Sequence, residues 1–274
     1  MDQELIEQVN NYVKKAHNLK KEADQKYRKA EELLYRALGI EYIEVKDKLT
    51  YTGSSKDVEI SGRLRFDADF YQPKYSKVLE LTKDGKALKD IATVSEETID
   101  PTQYPTKKFK YISLKSINGA TGEIDEIEEF LGWQAPSRAR MLVRANDIVV
   151  SSLKGSLDKV GLVPEELDEA IASTGFFIVR EKSKDYPTEV LFILFRSPIL
   201  TLQMEKLASG AILEAVSKNV FKNLQIPPVR NKDIIPHIVE LVKEHFKLRV
   251  EAKALIRRAI CEVEAEIERL IKNE

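Results

Sequence analysis

The sequence has little that covalent or metal chemistry can use: one cysteine, Cys261, and three histidines in 274 residues. A single cysteine excludes a disulfide within the chain and a cysteine-based zinc site. Cys261 lies in a helical pattern, where a buried or half-buried packing role is expected. Neither sign of charge is in surplus: 44 Lys and Arg stand against 45 Asp and Glu, a net charge of -1. Any surface for nucleic acid must therefore be a local basic patch, balanced by acid elsewhere. Long apolar runs are also missing. The longest candidate, Val190 to Leu202, is broken by Arg196 and Pro198 and falls short of the roughly 18 residues that cross a bilayer. The amino terminus is charged and polar, without an apolar signal core. The expectation is a cytoplasmic protein with no membrane segment.

Catalytic signatures are equally scarce. There is no Walker-type phosphate loop and no GxGxxG after a strand. Ile226-Pro227-Pro228-Val229 is the nearest approach to the Asn/Asp-Pro-Pro-aromatic run of an adenine amino-methyltransferase, and it lacks both the polar residue and the aromatic. It reads as the end of a strand before a helix. Glu251-Ala252-Lys253 has a nuclease-like spacing but falls on a helical face, where such pairs serve solvation. His17, His237 and His245 lie in the helical ends, without a ligand pattern. Ser151, Ser152 and Ser156 lack a GxSxG elbow. The chain reads as a non-catalytic binding protein with no cofactor or metal of its own.

What is present begins with two long helical patterns. Residues 4–37 contain neither Gly nor Pro. Val9, Val13, Ala16, Ala23, Tyr27, Ala30 and Leu34 recur at steps of three, four and seven, a heptad-like seam. Gly39 follows, where a helix stops. Residues 237–272 repeat the character, with Pro236 at the tolerated start and a stripe of Ile238, Val242, Ala252, Ile256, Ala259, Val263, Ile267 and Leu270. A long helix with one narrow stripe needs a helical partner of similar length. Aligned so that Ile6 meets Ile235, Val13 meets Val242 and Ala30 meets Ala259, the two ends also resemble each other. That likeness is a duplicated spacer or a convergence of two seams.

Between them, β-branched and aromatic residues gather in short runs at Lys110–Leu114, Asp147–Ser151, Lys159–Val163 and Phe176–Val179. Turn residues such as Asn118-Gly119 and Gly155-Ser156 separate these runs. Val190 to Ser209 reads as helix interrupted near Pro198. Strands and short helices mix without βαβ alternation. The expected fold class is α+β: one globular domain of mixed strands and short helices, flanked by two long antiparallel coiled-coil helices. The boundaries are 1–40, 41–230 and 231–274.

Several strings resemble the specificity subunit of type I restriction–modification systems. They are GRLRFDADFYQPKY at 62–75, ALKDIATV at 87–94, FKYISLKSINGATG at 109–122, RANDIVVSSLKGSLDKVGLV at 144–163 and SGAILEAVSKNVFKNLQIPP at 209–228. QELIEQV at 3–9 is similar to the start of that family's spacer helix. Asn146 stands where the family commonly has Gly, and Lys232 stands where the second helix usually has Gln. A full-length member carries two target recognition domains and two spacer helices. This chain has one domain in the order helix, domain, helix.

The resemblance implies a DNA-binding scaffold that reads a bipartite target. Its partners are double-stranded DNA, a methyltransferase subunit that brings the methyl donor, and a restriction/motor subunit joined through that complex. With one domain per chain, two readers require pairing, so a homodimer is expected and an inverted-repeat target with it; a different half-subunit would give an asymmetric site. Basic residues interleaved with aromatic and hydroxyl residues mark candidate DNA contacts. For phosphates these are Lys107, Lys108, Lys115, Arg138, Arg140, Lys154 and Lys218. For bases they are Gln134, Ser152, Ser156 and Asn219. The competing readings are a stand-alone nuclease or methyltransferase with a divergent site, and a coiled-coil assembly protein.

Overall fold

The computed structural model describes residues 3–40, 46–52, 68–208 and 214–272. The openings of the strings at 62–75 and 209–228 lie outside them. In chain order the elements are α1 (Gln3–Leu38), α2 (Pro73–Thr82), β1 (Lys86–Ala87), α3 (Leu88–Ile91), β2 (Ala92–Ser95), β3 (Lys108–Ile112), β4 (Glu128–Leu131) and β5 (Ala139–Leu142). There follow β6 (Ile148–Ser151), β7 (Val160–Leu162), β8 (Ile171–Ser173), β9 (Phe176–Glu181), α4 (Thr188–Arg196), α5 (Pro198–Leu207), α6 (Lys218–Lys222), β10 (Gln225–Ile226) and α7 (Ile235–Lys272). The chain divides into two compact units, residues 1–34 with 233–274 and residues 35–232.

The first unit is an antiparallel helix pair. Low numbers of α1 meet high numbers of α7: Lys26 bonds Glu244 at 2.6 Å, Asp24 pairs with Arg249, and the Tyr12 hydroxyl donates to Glu262 at 3.3 Å. Ala16, Ala23 and Ala30 of α1 are buried, as are Ile238, His245, Ala252 and Ala259 of α7. On each helix these residues fall at every seventh position, as a coiled-coil seam requires. Alanine at the seam lets two backbones approach closely. The expected stripe is trimmed by the structure. Val13 is 46% exposed, and Ile267 and Leu270 are also exposed. An alanine-centred contact is narrow, so the apolar positions beside it stay in water. Cys261 is exposed, which corrects the expected packing role: it falls on the far side of α7. His245 is buried, with Nδ1 2.8 Å from the Ala23 carbonyl oxygen. His17 is exposed.

At the end of α1, Gly39 takes φ +71°. Its N–H donates to Arg36 and that of Ile40 to Tyr35, the pair of bonds that closes a helix through a left-handed residue.

The second unit holds two four-stranded sheets. One has the order β2-β9-β6-β7 and the other β4-β3-β8-β5, with β3 and β8 parallel. Alternation along the strands supplies two cores. Ile112 and Ala172 of the second sheet join Val149, Phe176 and Ile178 of the first in one cluster. Phe109, Tyr111, Ile171 and Ala139 belong to another cluster with Phe130, Ile99 and Ala135. The second sheet is thus apolar on both faces. Helix α4 is buried from Val190 to Phe195. Phe195 and Phe177 stack on Phe221 of α6, with centroids 5.5 Å and 4.0 Å away. The helical run breaks where expected: Pro198 forces Ser197 into an extended conformation, ψ 156°.

Candidate nucleic-acid interface

One face of the second sheet is covered by two loops rather than by helices. Residues 100–107 lead into β3, and residues 132–138 join β4 to β5. Each loop contains one turn of 3-10 helix, Pro101–Gln103 and Gly132–Gln134. Asp100 caps the first turn, accepting from the Thr102 N–H at 3.1 Å. The second is tied down by Gly132 N–H to the Lys107 carbonyl, 2.9 Å, and Trp133 N–H to that of Pro105, 3.2 Å. A Cβ at Gly132 would overlap the carbonyl oxygens of Tyr104 and Pro101, so only glycine permits this approach. Ile99 and Ala135 pack beneath, on the Phe109–Phe130 cluster. Outward, Tyr104 and Trp133 are 51% and 65% exposed.

The residues singled out in the sequence fall at several places on this unit. Lys107, Gln134 and Arg138 lie on the two loops and are exposed. Lys107 places its ammonium over the Phe109 ring, 5.2 Å from the centroid. Gln134 accepts the Leu131 N–H at 3.3 Å. Lys108 pairs with Glu129 across β3 and β4. Lys115 pairs with Glu128 at 2.7 Å, towards the other end of β3; that bond raises its pKa. Arg140 is held inward by the carbonyl oxygens of Ala139 at 2.8 Å and Pro136 at 3.3 Å, with Asp100 3.8 Å away.

Lys154 and Ser156 lie on a one-turn 3-10 helix after β6, where Lys154 bonds Glu214 at 2.5 Å. A Cβ at Gly155 would meet open space. Ser152 is buried, and its hydroxyl donates to the Gly175 carbonyl at 2.9 Å. That bond ties β6 to the turn before β9 and leaves the hydroxyl facing protein. Lys218 and Asn219 open α6. Lys218 pairs with Glu96 at 2.8 Å, and Asn219 accepts from the Asn223 amide at 2.8 Å through its carbonyl oxygen. Lys218 and Lys222 together hold the Glu96 carboxyl down at about 2.

Other ionisable groups hold the scaffold. Asp147 is 1% exposed. It receives two bonds from Arg180, 2.7 and 2.9 Å, and the Arg144 N–H at 2.8 Å. The hydrogen bonds that Arg180 donates to Asp147, and after them the one to Glu97, raise its pKa against the cost of its burial. Beside it Asn146 takes φ +67°. Asparagine tolerates that conformation best after glycine, which accounts for a residue other than Gly at this turn. Lys74 is buried between Glu205 at 2.8 Å and Asp47 at 2.9 Å. Burial alone would lower its pKa; those two bonds push it up. Among the described residues no three His, Cys, Asp or Glu side chains come together as a metal site. No described helix is long and apolar enough to cross a membrane.

Tyr104 carried no signal as an interface residue in the sequence. Its position depends on the Gly132 contact, which joins residues far apart in the chain. The one available cue was the crowding of Pro101, Pro105 and Pro136 around the loops.

A long helix at each end of a strand-rich unit defines a known class of architecture. The fold is that of the DNA-specificity subunits of type I restriction–modification systems, the HsdS fold. One similar solved structure is the HsdS subunit from Thermoanaerobacter tengcongensis, at 30% identity, 68% coverage of this chain and 46% of that one, with a TM-score of 0.49. A second belongs to a study of complex assembly and conformational transition of the type I R-M system. It is 32% identical, covers 65% of this chain and 48% of that one, and has a TM-score of 0.50. The chain spans about half the length of both. No protein-family model and no curated protein matches the sequence.

Proposed function

We propose that this chain is a sequence-reading subunit of a type I restriction–modification complex, non-catalytic in itself. Residues 41–230 act as a target recognition domain, and the segments 1–40 and 231–274 as spacer helices. The observation that carries this reading is the 32% identity, over 65% of the chain, to a protein of a type I R-M system. The helix pair supports it too: two antiparallel helices of this length scaffold larger partners. In this reading the globular domain grips duplex DNA and the helices bind a methyltransferase subunit, which supplies the methyl donor. The restriction/motor subunit joins through that complex, in the cytoplasm. The working form in this reading is a homodimer, whose symmetry calls for an inverted, bipartite target.

Co-expression with a type I methyltransferase subunit tests the proposal. The expected outcome is co-purification, with methylation of an inverted bipartite site found by genome-wide mapping of methyladenine. Light scattering of the chain alone should give twice its 31.3 kDa. A clean monomer at micromolar concentration excludes the symmetric arrangement, and turnover of DNA by the isolated chain with magnesium or methyl donor excludes the non-catalytic role.

A further inference from the structure

The candidate cations differ in how they are compensated. Lys108, Lys115, Lys154 and Lys218 each sit on a carboxylate, and Arg140 on main-chain oxygens. Among the described residues, Lys107 and Arg138 have no carboxylate within ion-pair distance; Lys107 faces an aromatic ring instead. Both belong to the pair of loops over the second sheet, which also exposes Trp133 and Tyr104. A large aromatic side chain left in water costs free energy that contact with a partner recovers. Unpaired cations beside exposed aromatic rings suit a polyanion with stackable faces.

We infer that these two loops are the part of the molecule that enters the DNA: Lys107 and Arg138 hold phosphates, and Trp133 inserts against a base step, with Tyr104 beside it. This rests on the reading of the chain as a DNA-binding subunit and narrows it to one surface. The build suits a wedge. Trp133 rides on a one-turn helix fixed by two main-chain hydrogen bonds and by the Gly132 contact, over a packed apolar cluster. A rigid mount lets an aromatic side chain unstack a base step instead of yielding to it. The ion-paired lysines then contribute mainly to the general field, because each must release its acid before it takes a phosphate.

Trp133 is the only tryptophan of the chain, so fluorescence excited beyond the absorption of its tyrosines reports on this residue alone. The probe is a duplex recovered by the protein itself from a random-sequence library. Saturating it should quench Trp133, with a midpoint that matches binding measured by anisotropy. Trp133→Ala should weaken binding roughly tenfold or more, and Trp133→Phe should restore part of the loss. Lys107→Ala and Arg138→Ala should each lower the slope of log K against log salt by about 0.9, whereas Lys115→Ala and Lys218→Ala should change it less. Saturated binding with unchanged Trp133 emission overturns the inference and leaves the DNA-binding reading intact. Failure of the library to yield any bound duplex overturns both. Quenching by a methyltransferase subunit in place of DNA assigns the loops to protein docking and likewise overturns it.

Discussion

Asp147 shows how much of the second unit rests on single side chains. Its carboxylate is buried, yet it satisfies both a guanidinium and a main-chain N–H. Asp147→Ala strands Arg180, which retains only Glu97 at 2.9 Å. Breaking a fully buried pair costs about 3–5 kcal/mol. Arg180 is 33% exposed, so solvent screens part of the loss, and about 2–3 kcal/mol is expected by urea unfolding. Gly132 works through space rather than charge. Gly132→Ala forces the two loops apart and should cost about 1–3 kcal/mol, with a matching loss of DNA affinity if the loops carry the contact. An unchanged unfolding midpoint for Gly132→Ala rules out the close approach. The cap at Gly39 and the turn at Asn118-Gly119 were legible in the sequence because glycine and asparagine mark backbone geometry locally. The Gly132 approach was not, because the atoms it avoids belong to residues 101 and 104.

At the scale of elements, periodicity told more about the helices than about the strands. Both helices ran within two residues of the expected bounds, Gln3–Leu38 and Ile235–Lys272. At the offset that aligns Ile6 with Ile235, the buried positions of the two ends coincide: Ala16 with His245, Ala23 with Ala252 and Ala30 with Ala259 are all buried. On α1 the alanines at every seventh position set a close contact, and a larger side chain at Ala23, opposite Arg249 and His245, meets atoms already packed there. Ala23→Leu should therefore destabilise the pair by about 1–3 kcal/mol, while Val13→Leu, at an exposed position, should be near neutral. Equal effects by circular dichroism melting would show that the seam runs elsewhere. Strands β6, β7 and β9 stood out as apolar β-branched runs. Strands β2, β4, β5 and β8 did not. They are short and mix Glu, Arg, Ser and Thr with apolar residues, and only pairing with neighbours makes them strands.

Across the whole molecule, paired charges set the response to pH. The carboxyls of Glu96, Glu97, Asp100, Glu129 and Glu244 all lie below their ordinary values. The largest causes are hydrogen bonds from Lys218, Arg180, Thr102, Lys108 and Lys26 respectively. A carboxyl whose folded pKa is depressed stabilises the fold above its unfolded value and loses that contribution as pH falls through the folded one. For Glu96 the window runs from 4.5 down to about 2. Lys26, Lys115 and Arg258 are raised, each chiefly by the hydrogen bond it donates to a glutamate; their contribution is present below the unfolded value and is lost only in strong alkali. Melting temperature should therefore be flat from about pH 6 to 8 and fall below about pH 5. A steep change near pH 7 would point to histidine instead. The near-zero net charge of -1 leaves acids and bases in nearly equal supply for such pairs.

The sequence by itself determined the helices, the α+β character and the order helix, domain, helix. Each of these follows from residues close together in the chain, through 3.6-residue periodicity, β-branched runs and turn-forming glycines. It also held the strings that resemble a type I specificity subunit. Tertiary structure alone decided which apolar stripe is buried, because that depends on how closely two helices approach. It likewise decided which lysines are neutralised and where Trp133 points. Compensation and exposure are properties of distance in space, and strands such as β3 and β8 become neighbours only after nearly 60 residues of intervening chain have folded between them.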